Sequence, residues 1–256
     1  MSVSTLAATV ERGDPDRFAA TMAAPPAVRA RLWPLYALNL EIARAPWASA
    51  EPMVSEMRLQ WWVDAIEGAW SERGASLALS ELSPLLSDVP DLRMLMLGAA
   101  EARRRDAWPD PFEDGEDLAA YLDATSGNIM WAAARILGAD DRAERVVRDF
   151  AWGAGLASWF RAIPALEAAG RQPLPDGRAS AVVALAREGR ARIGRARAAR
   201  RLVPAAVAPA LLPGWQADAL LSLAIREPAR VAEGRLATSE ALRRATLALR
   251  AISGRW

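Results

Sequence analysis

Along most of the chain apolar residues return every three or four positions, which is the period of a helix and not of a strand. The spacing predicts helices over about 4–12, 15–23, 27–45, 51–72, 90–106, 115–137, 140–169, 178–202, 205–212, 215–226 and 239–252, and no strand. Gly13 closes the first segment and Pro25-Pro26 the second. Gly74, Gly138, Gly170 and Gly234 stand where C-terminal caps are expected, and Pro90, Pro175 and Pro213 fall between periodic stretches. In the 51–72 segment Ser49 is the expected N-cap, with Pro52 in the first turn. Met53, Met57, Trp61 and Ala65 form one apolar row, with Trp62, Ile66, Ala69 and Trp70 beside it; Gln60, Asp64 and Glu67 share a polar stripe. No linker, composition break or internal repeat divides the chain. The pattern predicts one all-α domain over 1–256, a bundle of long antiparallel helices around a central cavity.

Composition narrows the chemistry. The 256 residues contain no Cys and no His, and all 32 basic residues are Arg. Disulfides, zinc sites, thiol nucleophiles, a Ser-His-Asp relay, a Schiff base and a P-loop lysine are therefore all excluded. Carboxylates, Arg, Tyr, Trp and backbone groups remain, which leaves carboxylate and hard-cation chemistry. A formal net charge of +1 argues against nucleic acid as a partner. No run reaches the roughly 18 apolar residues of a membrane span. The acidic N-terminal stretch with Glu11, Asp14 and Asp16 is unlike a signal or transit peptide, and the default compartment is the cytoplasm.

Three patterns invite a functional reading and each has a simpler one. The acids Asp106, Asp110, Glu113, Asp114, Glu116 and Asp117 would converge on a metal if helical, but Pro109 and Pro111 break that helix, so a solvated connector into the next helix N-terminus is expected. Gly153-Ala-Gly155 is half of a dinucleotide fingerprint with no strand before it, which predicts close helix packing instead. Arg187, Arg190, Arg192, Arg195, Arg197, Arg200 and Arg201 circle their helix, as a solvated face does, more than they stripe it as an anionic-lipid site would. The 11 Trp residues are expected mostly in the core, with indole N–H groups that need partners.

Arg29 to Arg44 with its Trp33-Pro-Leu-Tyr36 centre, then Glu51 to Trp62, Tyr121 to Gly127, Leu137-Gly138, Gly155 to Pro164 and Gly170 to Pro175, resemble the landmarks of the squalene/phytoene synthase family in the same order, over about residues 14–215. The resemblance implies an all-α isoprenoid synthase fold. Active members join two prenyl diphosphates head to head and hold Mg²⁺ with Asp-rich motifs on two facing helices. Aligned on Tyr36, the first motif's acids fall on Ala43, Arg44 and Trp47, and a nearby diphosphate-binding Arg falls on Leu40. Aligned on Arg161, the second motif's acids fall on Ala162, Ala165 and Leu166, and the preceding Asn falls on Ser158. A diphosphate leaving group needs metal, and the metal needs carboxylate oxygens, so no catalytic or metal-ligating residue is assigned.

Asn39-Leu-Glu41-Ile-Ala, Met57-Arg58-Leu-Gln60-Trp61-Trp62 and Leu156 to Pro164 resemble most a branch of the superfamily that includes a mitochondrial assembly factor of respiratory complex I, also without the Asp motifs. The resemblance implies a catalytically silent scaffold or binder, taking an apolar or prenyl-like ligand or a respiratory complex subunit, with peripheral contact at the inner membrane. Tyr36, Asn39, Glu41, Arg58, Gln60, Arg161 and Arg171 then line or brace the vestigial cavity, Arg161 and Arg171 facing an anionic head group; equally, they satisfy one another between helices. No cofactor is expected. The alternative is a Mg²⁺-dependent prenyltransferase using other acids, Glu41 with Glu56 or Asp64, or Asp123 and Asp149.

Overall fold

Two segments that are apolar on every side become the centre of the molecule. A computed structural model describes residues 2–49, 51–68 and 76–256. In it the helix α3 (Pro26–Arg44) buries Leu32 through Leu40 without interruption, and α9 (Glu144–Ala168) buries Phe150 through Ala157, then Phe160 and Ile163. A helix buried all round shows no amphipathic stripe, and these two have almost none. Around them stand α1 (Ser2–Gly13), α2 (Pro15–Met22), α4 (Pro52–Glu67), α5 (Leu77–Asp88), α6 (Leu92–Ala102), α7 (Gly115–Leu122), α8 (Asn128–Ile136), α10 (Ala179–Ala198), the short α11 (Ala208–Leu211), α12 (Ala217–Arg226), the short α13 (Ala229–Ala232) and α14 (Glu240–Ser253). Among the described residues there is no strand. Among them, too, no helix is long and apolar enough to cross a membrane.

The predicted segments match these helices with informative differences. Helix α5 lies where none is predicted: Pro84 and four Ser residues between 76 and 87 hide its apolar face of Ala78, Leu79, Leu82 and Leu86, and Ser76 caps it by accepting from Leu79 N at 3.0 Å. Helix α4 ends at Gly68, which takes φ 93°, so it is shorter than the predicted 51–72; Ala69, Trp70 and Gly74 lie outside the described residues. Its N-cap is Glu51, while Ser49 only accepts from Glu51 N at 3.1 Å. The expected Met row also points outward, with Met53 61% and Met57 66% exposed. Leu59, Trp62, Val63 and Ile66, at the better i, i+3, i+4, i+7 spacing, take the inner face.

The segment 115–137 is one helix in prediction and two in fact, joined by a π turn over 123–127. There Thr125 Oγ1 bonds back to Tyr121 O at 2.7 Å, and Ser126 sits against Gly155, where a Cβ would lie 2.5 Å from its hydroxyl. Gly153 faces Gly189 of α10 in the same way, which confirms close packing as the use of the 153–155 glycines. Gly138, Gly170 and Gly234 all hold positive φ at helix ends as expected. Of the arginines circling α10, Arg190, Arg192, Arg195 and Arg197 are tied to Asp218, Glu188, Asp149 and Asp218 respectively. Six Trp residues are buried (33, 62, 131, 152, 215 and 256), while Trp47 and Trp108 are exposed.

Candidate functional site

The end of α3, its following turn and the C-terminal half of α9 carry the positions to which the resemblance assigns the family's metal ligands. Trp47 and Leu166, one from each side, line the same small cavity of about 30 Å³. Arg171 lies with its guanidinium 5.0 Å from the Trp47 ring centroid and donates to the Trp108 carbonyl. Trp159 closes the floor, its indole N–H bonded to Pro173 O at 2.8 Å and its ring 5.2 Å from Tyr121 and 5.8 Å from Phe112. Where a metal-diphosphate centre would need several converging oxygen ligands, this cavity is lined by Trp47, Trp108, Trp159, Arg105 and Arg171, with Asp106 and Asp110 as its two acids. Arg44 rests against Gly13, whose Cβ would come within 2.6 Å of Nη2. Ala43, Arg44, Trp47, Ala162, Ala165 and Leu166 offer no oxygen, so these positions do not fit Mg²⁺.

Beside that cavity lies a buried polar network that the sequence does not announce. The expected solvated connector is real for Asp110, Glu113 and Asp114, and Asp114 caps α7 by accepting from Glu116 N and Asp117 N. Asp106 departs from it. Helix α6 runs on into a 3-10 turn over 103–107, which carries Asp106 inward. Tyr121 donates its hydroxyl to Asp106, 2.9 Å from each carboxylate oxygen, and Arg103 stands 3.7 Å away. Burial pushes the Asp106 carboxyl above its usual range against the pull of Arg103 and the Tyr121 bond; burial, with the neighbouring Asp106 charge, pushes Tyr121 up as well. Arg103 also donates to Asn39 Oδ1 at 3.4 Å, which ties Asn39 to this network.

Tyr36 and Arg161 belong to a different place. Tyr36, Asp14, Arg17, Ser126 and Ser158 line a chamber of about 130 Å³, and Asp16, Arg161 and Gln216 line an adjoining one of about 70 Å³. Burial lifts the Tyr36 hydroxyl to about 12, with the Arg17 guanidinium 4.9 Å from its ring pulling the other way. That hydroxyl is buried and has no hydrogen-bond partner among the described residues. Deleting an unpaired buried hydroxyl removes a desolvation cost, so Tyr36→Phe should leave urea stability unchanged or raise it by about 1 kcal/mol. A clear loss would show that the hydroxyl holds a bound water or ligand.

Arg161 donates to Asp16 at 2.7 Å, and Asp16 also accepts from Gln216 at 2.9 Å and Arg243 at 2.6 Å. One carboxylate thus joins α2, α9, α12 and α14, and Arg161 is committed to it. Next to it Asp14 caps α2, accepting from Arg17 N at 2.9 Å and Arg17 Nε at 2.8 Å. Burial raises the Asp14 carboxyl, but the charge and hydrogen bonds of Arg17 outweigh it and hold the group below 3.8. A depressed folded-state value stabilises above the unfolded value and is lost as pH falls through the folded one. Asp14→Ala should therefore cost about 1–2 kcal/mol at pH 7, and the gap from wild type should close as unfolding is measured at ever lower pH beneath the ordinary carboxylate range.

The remaining predicted residues stand apart. Glu41 is half-buried and its carboxyl is raised by burial, with the Ser76 hydroxyl and Arg44 pulling it down; Oε2 is buried without a partner among the described residues. Arg58 and Gln60 are exposed on α4, where Gln60 donates to Asp64 at 2.6 Å and accepts from Arg104. The seven residues therefore do not gather in one cavity. The alternative acids are also engaged elsewhere, Asp123 with Arg148 and Asp149 with Arg195, each at 3.1 Å. Among the described residues no three acidic side chains converge so as to hold a metal ion.

The architecture is that of the all-α isoprenoid synthases. It superposes on a dehydrosqualene synthase solved with ligand at a TM-score of 0.80, with 11% identity, covering 98% of this chain and 95% of that one. It superposes on squalene synthase HpnC from Alicyclobacillus acidocaldarius at 0.74, with 16% identity, covering 88% and 94%. Residues 10–249 match the squalene/phytoene synthase family, and the chain belongs to it. The chain is also similar to the "NADH dehydrogenase (ubiquinone) complex I, assembly factor 6 homolog" of Drosophila melanogaster, 25% identical over 174 residues that make up 65% of this chain. It spans about half, 51%, of that relative's length.

Proposed function

We propose that this protein is a catalytically silent member of the squalene/phytoene synthase family that works as a protein-binding scaffold in the biogenesis of a respiratory NADH dehydrogenase. The observation that carries the reading is the small cavity of about 30 Å³ that Trp47 and Leu166 share, lined largely by indoles and by Arg105 and Arg171 and not by a set of acids. The chambers beside Tyr36, about 130 and 70 Å³, are small against the roughly 300–1,000 Å³ of a small-molecule site and are lined by charged and hydroxyl groups. Both features count against a prenyl diphosphate at these positions; the larger cleft of about 620 Å³ that shares Arg171, lined by Ile163, Leu174, Val182 and Val231, has room for a small ligand, so the choice of a protein partner rests on the similarity to an assembly factor homologue. The similarity to an assembly factor homologue supplies the kind of partner, a respiratory complex subunit.

Incubated with farnesyl or geranylgeranyl diphosphate and Mg²⁺, the protein should release no diphosphate above the rate without protein. Metal-dependent release would overturn catalytic silence and restore the prenyltransferase reading. For the scaffold role, removing the gene from its own organism should lower NADH-linked respiration and the amount of assembled complex. Unchanged levels of both would overturn it.

A further inference from the structure

The helix α14 turns its apolar face away from the molecule. Leu247 and Ala251 attach it to a small cluster of Ala20, Leu212 and Trp215. Arg243 reaches inward to Asp16, and Arg250 donates to the Trp256 backbone oxygen at 3.0 Å. The opposite side carries Ala241, Leu242, Ala245, Ala248, Leu249 and Ile252, all exposed, with Leu242 at 52%, Leu249 at 67% and Ile252 at 87%. A surface helix normally shows water its polar side. This one is inverted over the whole of its 14 residues, between a Ser239 cap and Gly254 at φ 63°.

The spacing of the exposed residues says what kind of occupant fits. Leu242, Ala245, Leu249 and Ile252 follow one another at three, four and three, the seam of a helix that packs on another helix. The flanks are small and uncharged, Ala241 and Ala248 on one side, Thr246 and Ser253 on the other, which allows close approach. A lipid surface would be met by free cations around the stripe. Here Arg243 and Arg250 are drawn inward and Arg244 is paired with Glu240 at 2.7 Å.

The seam is also complementary to itself. Run antiparallel, Ala245 of one helix faces Leu249 of the other, small against large, and Leu242 faces Ile252 at each end. Such a contact is two-fold and closes on itself, and the opposed helix dipoles favour it. We propose that this face is a self-association surface on which two copies of the chain pair antiparallel through α14. A seam about 21 Å long is short. One seam of that length is a small contact beside the roughly 1,200–2,000 Å² that holds stable pairs, so the dimer is weak and concentration-dependent.

Sedimentation of the full chain from low micromolar to submillimolar concentration tests this. Wild type should shift from monomer to dimer across that range, and Leu249→Glu should stay monomeric, with the dimer dissociation constant raised at least about tenfold, the effect of some 1.4 kcal/mol. Because Leu249 is mostly exposed, circular dichroism and melting of dilute L249E should match wild type; should it unfold early, Leu242→Glu at the other end of the seam gives the same comparison. A wild type that is monomeric throughout overturns the proposal, and so does an L249E dimer as tight as wild type. Monomeric wild type that floats with phosphatidylglycerol vesicles, where L249E does not, would assign the face to lipid instead.

Discussion

Replacing Trp256 by alanine is expected to cost about 3–5 kcal/mol of folding stability, the largest effect of any single truncation proposed for this chain. The ring is 6% exposed and meets Phe150 of the central helix edge-on at 4.9 Å. Arg197 and Arg250 both donate to its backbone oxygen, at 3.1 and 3.0 Å, so the ring and the main chain are gripped together. Burial lowers the Arg250 guanidinium, and the nearby Arg197 and Arg255 charges lower it further, so the accepting oxygen between the cations matters more. Substitution leaves that oxygen in place but opens a cavity against Phe150, which the rigid α9 cannot close. A domain holds about 5–15 kcal/mol in all, so the loss is a large share of the total. Urea unfolding followed by circular dichroism measures it. A change below about 1 kcal/mol would show that the Trp256 ring adds little beyond the backbone grip.

The second large effect is expected from Gly153→Val, at about 3 kcal/mol, the upper end of what overpacking costs. A Cβ at 153 would stand 2.6 Å from Ile193 and 2.8 Å from the carbonyl oxygen of Gly189. The isoleucine tip can turn aside, but the carbonyl belongs to the α10 backbone, so the two helices would have to separate. Gly189 is equally confined from its own side, 2.9 Å from Leu221 and 3.1 Å from Leu156. For a chain of this size the melting temperature should fall by roughly 6–12 °C. Gly194, on the same helix with nothing within 4 Å, provides the control. Gly194→Ala should stabilise by about 0.5–1 kcal/mol through helix propensity alone. Equal effects at the two positions would refute the close crossing.

Much of this architecture is legible in the sequence because helical period is a local property. The punctuation at Gly138, Gly170 and Gly234 and the Pro-blocked connector around Asp110 follow from backbone rules that need no tertiary partner. Helix α5 escaped because its serines dilute the pattern, and the π turn at 123–127 escaped because its cause lies across the bundle, where Ser126 meets Gly155. The candidate site was less accessible still. Tyr36 and Asn39 are engaged inside the bundle with Arg17 and Arg103, and Arg161 and Arg171 nearer its surface with Asp16 and Trp108, partners up to 145 residues away in the chain. Arg58 and Gln60 proved to be surface residues because Leu59 and Trp62 between and beside them take the inner face. Asp106, which belongs to the buried network, looked like one more acid in a soluble loop.

By itself the sequence determined the helical class and the absence of thiol, imidazole and amine chemistry, and it set Ala, Arg, Trp and Leu at the six positions to which the resemblance assigns metal ligands. Those are statements about which side chains exist and how they recur along one strand of chain. Only the tertiary structure decided that Trp47, Trp159 and Arg171 line one small cavity, that Asp16 ties four helices together, and that α14 faces Leu242 and Leu249 outward. A helical period fixes which residues share a face; which face meets the core depends on the neighbours that pack there, and those are set by distant parts of the chain.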